Sequence, residues 1–405
     1  MKIGLVLSNT PGYSETFFIS KIKGLQKNDI EVCLFCHNKK EDFMLCPVVE
    51  SAKVPMNPIL LVWHFPKEFV LLMPYLSTVI RYINLERKER TTWVTLFKRI
   101  YLNAHLLKAK IDWLHFGFAT LALGKETVAK AIGAKMAVSF RGFDIGVYPV
   151  KFPNCYDKLW KYVDKVHSNS YDLLVLGKKY GLPEHVNVQR ITPAIDVQKF
   201  CATSTDFSQK SKPIFMTTGR LHWKKGLVQT LEALAILKTQ GLDFTYKIVG
   251  EGSEYERVAF AAYQLGLNDH VQFLGKLNHG EVKKELEKVD IYLQYSIQEG
   301  FCNAVLEAQA MGKLSIVSDA EGLPENVMHE QSGWVVPKHS SQLLAEQIME
   351  VILMDEHPKN AISQNAVERV RKAFNLEKQQ REFLEFYGLT TEDPKKVRRT
   401  QWVSS

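Results

Sequence analysis

Cysteine is sparse, with six residues in 405 at positions 33, 36, 46, 155, 201 and 302, and this scatter excludes a disulfide scaffold. Cys33 and Cys36 form a C-x-x-C at the strand-like run Glu31 to Phe35. A separation of three on a strand turns the sulfurs to opposite faces, so both read as structural rather than as a redox or metal pair. Long apolar runs are also missing. The longest apolar stretch, Ile59 to Ile80, is broken by Pro66, Lys67, Glu68 and Pro74, short of the ~20 apolar residues a membrane-spanning helix needs. No charged start, apolar core and cleavage site opens the chain, and the expectation is a cytoplasmic, reduced protein. No short-period repeat and no low-complexity block is present.

What is present is ordinary globular material, 46% hydrophobic and 24% charged, enough for two domains of roughly 200 residues each. The net charge is a modest +8, but Arg81, Arg87, Lys88, Arg90, Lys98, Arg99, Lys108 and Lys110 face only Glu86 and Glu89 within one segment. That segment reads either as a solvated helix face or as a surface for anionic lipid, because Trp93, Phe97 and Tyr101 recur among the charges at helical spacing.

Short apolar runs recur at Lys2 to Leu7, Met136 to Phe140, Ile214 to Thr218, Phe244 to Val249, Ile291 to Tyr295 and Leu314 to Ser318, each followed by turn residues and a helical pattern. This alternation predicts an α/β fold of parallel strands covered by helices on both faces. Two sets are visible, the first ending near Ile195 and the second starting near Ile214, with polar Asp196 to Lys212 between them as a linker. The expected architecture is two Rossmann-like doubly wound domains, 1–195 and 196–371, facing a cleft that takes the ligand at the carboxyl ends of the strands. Beyond Gly388 the basic tail, 389–405, has the composition of a disordered segment.

Three stretches carry chemistry. In Glu299-Gly300-Phe301-Cys302-Asn303-Ala304-Val305-Leu306-Glu307, Asn303 suits a helix N-cap, which would leave the amides of Ala304, Val305 and Leu306 free for an anion. Glu307, one turn in, either accepts hydrogen bonds from ribose or hexose hydroxyls or only complements the helix dipole. In Gly219-Arg220-Leu-His-Trp-Lys-Lys225-Gly226, Arg220 and Lys225 can neutralise a diphosphate, although a basic loop can also simply be solvated. Val249-Gly250-Glu-Gly252-Ser253 is a strand-to-helix glycine loop that could approach a nucleotide, but it lacks the third glycine of the dinucleotide fingerprint.

In order along the chain, Gly219-Arg220 with Lys225-Gly226, Gly250-x-Gly252, Val271-x-Phe-Leu-Gly275, the glutamate pair Glu299 and Glu307, and Gly322-x-Pro324-Glu325 resemble the large family of GT-B glycosyltransferases that includes bacterial mannosyl-, glucosyl- and galactosyltransferases. The resemblance implies that Glu299, with Gly300, Phe301 and the amides through Cys302, Asn303 and Ala304, contacts the donor sugar. It further implies that Glu307 holds the ribose, that Arg220 and Lys225 hold the diphosphate, and that the base, of a UDP- or GDP-sugar, meets backbone near Leu274 to Leu277. The first half is similar to a branch that builds exported polysaccharides and lipopolysaccharide. Pro11-Gly12-Tyr-Ser14-Glu15-Thr16-Phe17 matches its loop after the first strand, with Gly12 approaching the donor phosphates. Asp112-x-x-His115 matches all but the second histidine of Asp-x-x-His-x-His, replaced by Gly117, and Arg141-Gly142-Phe-Asp144 carries Arg141 where the family more often has histidine. His115 is a catalytic candidate or a satisfied structural histidine, and an arginine at 141 suits a departing phosphate. Asp196-x-x-x-Phe200 resembles the family's marker at the domain joint, with a hinge-side structural role. The family's last helix, here about 372–388, returns to the first domain.

The function implied is a retaining transfer from a nucleotide diphosphate sugar to a polysaccharide or lipid-linked oligosaccharide, on the inner face of the cytoplasmic membrane, with no nucleic acid partner and no resident cofactor. Metal-using transferases bring a cation through an Asp-x-Asp pair, and none occurs in this sequence, so no metal is expected. The competing readings are a sugar-nucleotide epimerase, a phosphorylase, for which no pyridoxal phosphate lysine context is visible, and a non-catalytic nucleotide-sugar module.

Overall fold

The computed structural model describes residues 1–12, 16–52, 68–201, 207 and 210–389. The chain divides into two compact units, the first comprising Met1–Ile191 and the segment from Gln379 onward, the second Thr192–Lys378. The sequence places these divisions at 195/196 and 371/372; the structure shifts both. The amide of Ile195 donates to the carbonyl of Phe374, and Ile195 and Asn375 form a parallel bridge, so both flanks fold with the second unit. Ser14, Glu15, residues 59–67 of the apolar stretch Ile59 to Ile80, much of the expected linker and the tail from 390 lie outside the described residues. Asp196–Phe200 is not linker: the Asp196 carboxylate caps the amides of Gln198 and Lys199, and Phe200 is buried in the second unit's core.

In the first unit, β1 (Lys2–Val6), β2 (Glu31–Cys36), β3 (Val48–Glu50), β4 (Trp113–Phe116), β5 (Lys135–Phe140), β6 (Lys165–Ser168) and β7 (Asn187–Arg190) form one sheet in the order β3-β2-β1-β4-β5-β6-β7. In the second, β8 (Ile214–Thr218), β9 (Thr245–Val249), β10 (Val271–Gly275), β11 (Ile291–Gln294), β12 (Leu314–Ser318) and β13 (Trp334–Val336) run in the order β10-β9-β8-β11-β12-β13. Every described pairing is parallel. The inner strands of each sheet are buried on both faces, which is why they read as nearly unbroken apolar runs rather than as alternation. Along β2, Val32 and Leu34 join one core cluster while Cys33 and Phe35 join the other. The two thiols of the C-x-x-C are buried and free, and burial raises the pKa of both.

The basic segment forms helices Leu76–Lys88 and Trp93–Leu107. Trp93 and Phe97 are about half exposed, but Tyr101 is buried, so the expected aromatic stripe is shortened by one ring. Glu86 is fully enclosed and accepts from Arg99 and Lys158 at 2.6 Å each and from Thr127 at 2.6 Å. Burial raises its carboxyl, and the bonds from Lys158, Thr127 and Thr91 outweigh burial and hold it below the usual range. Arg99, and Lys108 through Glu68, are therefore neutralised locally.

Candidate active site

In an open parallel sheet the strand order reverses beside the first strand, and the loops on either side of that point leave a crevice at the carboxyl ends. In the second unit that point lies between β8 and β11. The loop after β8 carries Gly219–Gly226, and the loop after β11 carries Ser296–Cys302. They are joined by backbone: Ile297 N donates to Lys224 O at 2.7 Å. Lys225 on the first loop and Glu299 on the second form a direct ion pair. Burial works against the Lys225 charge, Glu299 outweighs it, and the ammonium is held above its ordinary value.

That loop concentrates positive charge beside the ion pair. Arg220 is exposed, and Lys224 is pulled below its usual pKa by burial and by Arg220 and Lys225, against the opposing pull of Glu299 and Glu321. Three cations within six residues are balanced by Glu299 and by Glu321, which also pairs with Lys338 at 3.2 Å. A polyanion would be drawn to that cluster of cations. Lys224 and Glu321 were not singled out by sequence; Lys224 adjoins the motif lysine, and Glu321 directly precedes Gly322. The Glu321 carboxylate accepts the Glu299 amide at 2.8 Å, and Gly322 N donates to Glu299 O at 2.9 Å, so the third loop fixes Glu299 from behind.

The glycine loop after β9 plays a different part from the one expected. Gly250 has φ +141°, and a Cβ there would collide with the carbonyl oxygen of Gly219. Leu221 N donates to Glu251 O at 3.0 Å, and Glu254 N to Leu221 O at 3.1 Å. Gly250 therefore lets the cationic loop lie backbone to backbone on its neighbour. Leu274 is part-buried at the end of β10 against the core, and the Gly275 carbonyl receives Gly250 N at 2.8 Å.

The helix after Glu299 runs Asn303–Ala310. Its N-cap is Cys302, not Asn303, which is the first helical residue; the Asn326 amide instead brackets Cys302, accepting from its N at 3.0 Å and donating to its O at 3.1 Å. Burial lifts the Cys302 thiol to about 11, against the pull of Lys225 and of the Val305 and Ala304 amides that hydrogen-bond it. Two of the amides expected to be free thus face a sulfur. Gly300, Phe301 and Ala304 remain part-exposed on the same turn. Glu307 also departs from expectation: burial pushes its carboxyl up to about 8, with Lys199 pulling the other way, so near neutrality it is chiefly protonated rather than a charged acceptor.

In the first unit, Gly12 is part-exposed after β1. Arg141 follows β5, donates from Nε to Gly117 O at 3.3 Å, and lies over Phe17, Phe18 and Phe118 at 4.3, 4.5 and 5.4 Å. The Asp144 carboxylate accepts the amides of Ala119 and Arg141 at 2.7 and 2.8 Å, yet burial dominates and raises its pKa to about 7. His115 is fully enclosed on β4, its Nδ1 2.6 Å from the Tyr387 hydroxyl and its Nε2 2.8 Å from Ser139 Oγ. With no exposed atom and both nitrogens engaged, His115 is a structural histidine, not one that touches substrate.

Two doubly wound parallel sheets in one chain, the second with a cationic loop at its switch point, define a GT-B protein. The fold is shared with a glycosyltransferase from Rickettsia africae, at 20% identity and TM-score 0.70 over 95% of this chain and 97% of that one. Anabaena HepE in complex with UDP-glucose has TM-score 0.69 at 18% identity over 96% and 99% of the two chains. Residues 204–369 match the model of the family described as glycosyl transferases group 1. It is 31% identical over 271 residues to WcaL of Salmonella typhimurium, which is assigned to colanic acid biosynthesis as a glycosyltransferase; the match covers 64% of this chain and 66% of WcaL, just under two thirds of its length.

Proposed function

We propose that this protein transfers a sugar, with retention and without a divalent metal, from a UDP- or GDP-sugar to a polysaccharide or lipid-linked oligosaccharide acceptor. The observation that carries the reading is the Lys225–Glu299 ion pair, with Arg220 and Lys224 on the same short loop, at the switch point of the second sheet. As the glycosidic bond breaks, the departing diphosphate gains negative charge, and fixed cations placed there stabilise the transition state more than the ground state. Glu299, oriented by Glu321 and Gly322, supplies the acceptor for donor-sugar hydroxyls. Retention follows from the family resemblance. The similarity to WcaL supports an exported polysaccharide or its lipid-linked precursor as acceptor.

The same reading places the protein peripherally on the inner face of the cytoplasmic membrane. Among the described residues no helix is long and apolar enough to cross a membrane. Leu76, Ile80, Trp93, Val94 and Phe97 are exposed on the two helices of the basic segment, and the Arg87 guanidinium lies 4.7 Å from the Trp93 ring. Apolar side chains flanked by arginines and lysines suit an anionic lipid surface.

One experiment tests both parts: labelled UDP- and GDP-sugars are incubated in excess chelator with lipid-linked acceptor in anionic vesicles, and product, anomer and vesicle association are read. Transfer persisting in chelator with a retained anomer is expected, with vesicle association weakening as salt rises. Lys225→Ala should lower turnover by about a hundredfold or more. Activity lost on chelation and restored by magnesium or manganese overturns the metal-free step, and an inverted product overturns retention. Donor isomerised without acceptor indicates an epimerase, and binding without turnover a non-catalytic module. Association independent of anionic lipid removes the membrane.

A further inference from the structure

Three buried polar side chains stand side by side on one face of the first sheet: His115 on β4, Ser139 on β5 and His167 on β6, each 1% exposed or less. The β5–β6 register pairs Ser139 with His167. Their hydrogens can be assigned from one end. His167 Nε2 lies 2.9 Å from the Ile191 carbonyl, which can only accept, so that nitrogen is protonated; in the neutral ring that burial favours, Nδ1 then accepts from Ser139 Oγ at 2.8 Å. Ser139 Oγ then accepts from His115 Nε2 at 2.8 Å, and His115 Nδ1 accepts from the Tyr387 hydroxyl at 2.6 Å. Every hydrogen points from Tyr387 towards Ile191, and both imidazoles are neutral.

The two ends of this row are not arbitrary positions in the chain. Ile191 is the last residue of the first unit before the chain enters the second at Thr192. Tyr387 directly follows the helix Leu376–Phe386, in which the chain returns to the first unit at Gln379. One row of hydrogen bonds therefore ends, on both sides, at a passage of the chain between units.

We propose that Tyr387–His115–Ser139–His167–Ile191 is a clamp that fixes, within the first unit, both passages of the chain to the second unit, and that it holds only while its two imidazoles are neutral. The surroundings enforce neutrality. Lys21, on helix Thr16–Gln26, is 2% exposed, with Nζ 3.1 Å from His115 Nδ1 and 4.4 Å from the centre of the Phe383 ring. Burial first, and then Lys21 and Arg141, hold both histidines well below their usual pKa; His167 adds to this at His115, the Ile191 carbonyl opposes it at His167, and no carboxylate among the described residues acts on either ring. A proton on either imidazole would add a cation to an enclosed space that already contains Lys21, with no carboxylate among the described residues to offset it. Acid should therefore open the clamp at both ends together. This goes beyond the proposed transfer reaction and is tested without it.

The test is amide hydrogen exchange of the full chain, corrected for the intrinsic pH dependence of exchange. Tyr387→Phe at pH 7.5 should speed exchange of the 379–388 amides and of those around 191 by about ten- to a hundredfold, leaving β8 to β13 unchanged. Ser139→Ala, which cuts the row in the middle, should loosen the same two segments. Unsubstituted protein should lose protection there as pH falls below about 6.5, by up to about tenfold per pH unit for each imidazole that takes up a proton on opening. Unchanged protection in the folded variants, or loosening at one end alone, overturns the clamp. An acid response spread evenly over both units overturns it without any substitution.

Discussion

The two units share a sheet topology and use glycine in opposite ways. In the first, a Cβ at Gly4, Gly117 or Gly177 would meet side chains: Ile111 and Phe35, Leu7 and Phe18, or Phe140. In the second, a Cβ at Gly226, Gly250 or Gly322 would meet backbone carbonyls, those of Tyr295, Gly219 and Gly300. Side chains can shift or change rotamer, whereas a carbonyl already committed to a neighbouring loop cannot. The first unit spends its glycines on packing helices against the sheet. The second spends them on stacking four loops around one ion pair, which is how a short cationic segment is held stiff enough to keep Lys225 on Glu299.

The sharpest way to break that contrast is to add one methyl group in each unit. Gly250→Ala combines a φ that L-residues rarely adopt with a collision against the Gly219 carbonyl, and should cost about 4 kcal/mol or more. Gly117→Ala meets only Leu7 and Phe18 and should cost about 1 to 3 kcal/mol. Denaturant unfolding of the two variants measures the difference. Equal losses would mean that the loop stack yields as readily as a side-chain core.

A second contrast lies in the buried lysines. Lys225 has a carboxylate partner, while Lys21 has two histidine-ring contacts and aromatic faces. Lys225→Met strands Glu299 and should destabilise by about 1.5 to 3 kcal/mol. Lys21→Met removes a cation that burial disfavours, keeps the volume, and leaves His115 Nδ1 its bond from Tyr387; stability should rise by about 1 kcal/mol. Thermal unfolding decides, at roughly 2–4 °C per kcal/mol for units of this size. A lower Tm for Lys21→Met would show that its contacts with His115 and Phe383 outweigh the burial of its charge.

The same contrast explains what the sequence disclosed. Short, mostly apolar runs marked β8 and β12 to the residue, because a strand buried on both faces admits only small polar side chains such as Thr217 and Ser315. Arg220, Lys225 and Glu299 stood out as charge beside glycine in loops that follow strands, and the structure pairs Lys225 with Glu299. At Gly250 the sequence shows that backbone must come close but not that the Gly219 carbonyl is what approaches. The first unit hid more. His115 meets Tyr387 from 272 residues away, and nothing local marks either as the other's partner. Capping by Cys302 in place of Asn303 escaped for a similar reason: the bracket around it comes from Asn326. Charge state was the least legible quantity, because it depends on the depth of burial around a side chain whose identity alone suggests an anion.

Glu307 is where that last point can be tested, with the smallest expected effect of the set. Read as a charged acceptor, its replacement by glutamine would cost roughly 1.5 to 3 kcal/mol of donor affinity. Burial instead raises the carboxyl to about 8, and glutamine resembles the protonated acid: each offers one carbonyl acceptor and at least one donor to a pair of ribose hydroxyls. At pH 6.5, Glu307→Gln should therefore shift the donor Kd by less than about threefold, under 1 kcal/mol. As pH rises through 8, only the unsubstituted protein gains a charge at this position. Its bonds to hydroxyls then strengthen towards the charge-assisted range, and the affinity ratio between the two proteins should widen to about tenfold by pH 9. Calorimetric titration with a nucleotide diphosphate sugar at both values measures the ratio. A ratio already tenfold at pH 6.5, and flat with pH, would mean that the carboxylate is ionised in the complex throughout. The second unit would then hold a buried anion without the kind of partner that Glu299 has in Lys225.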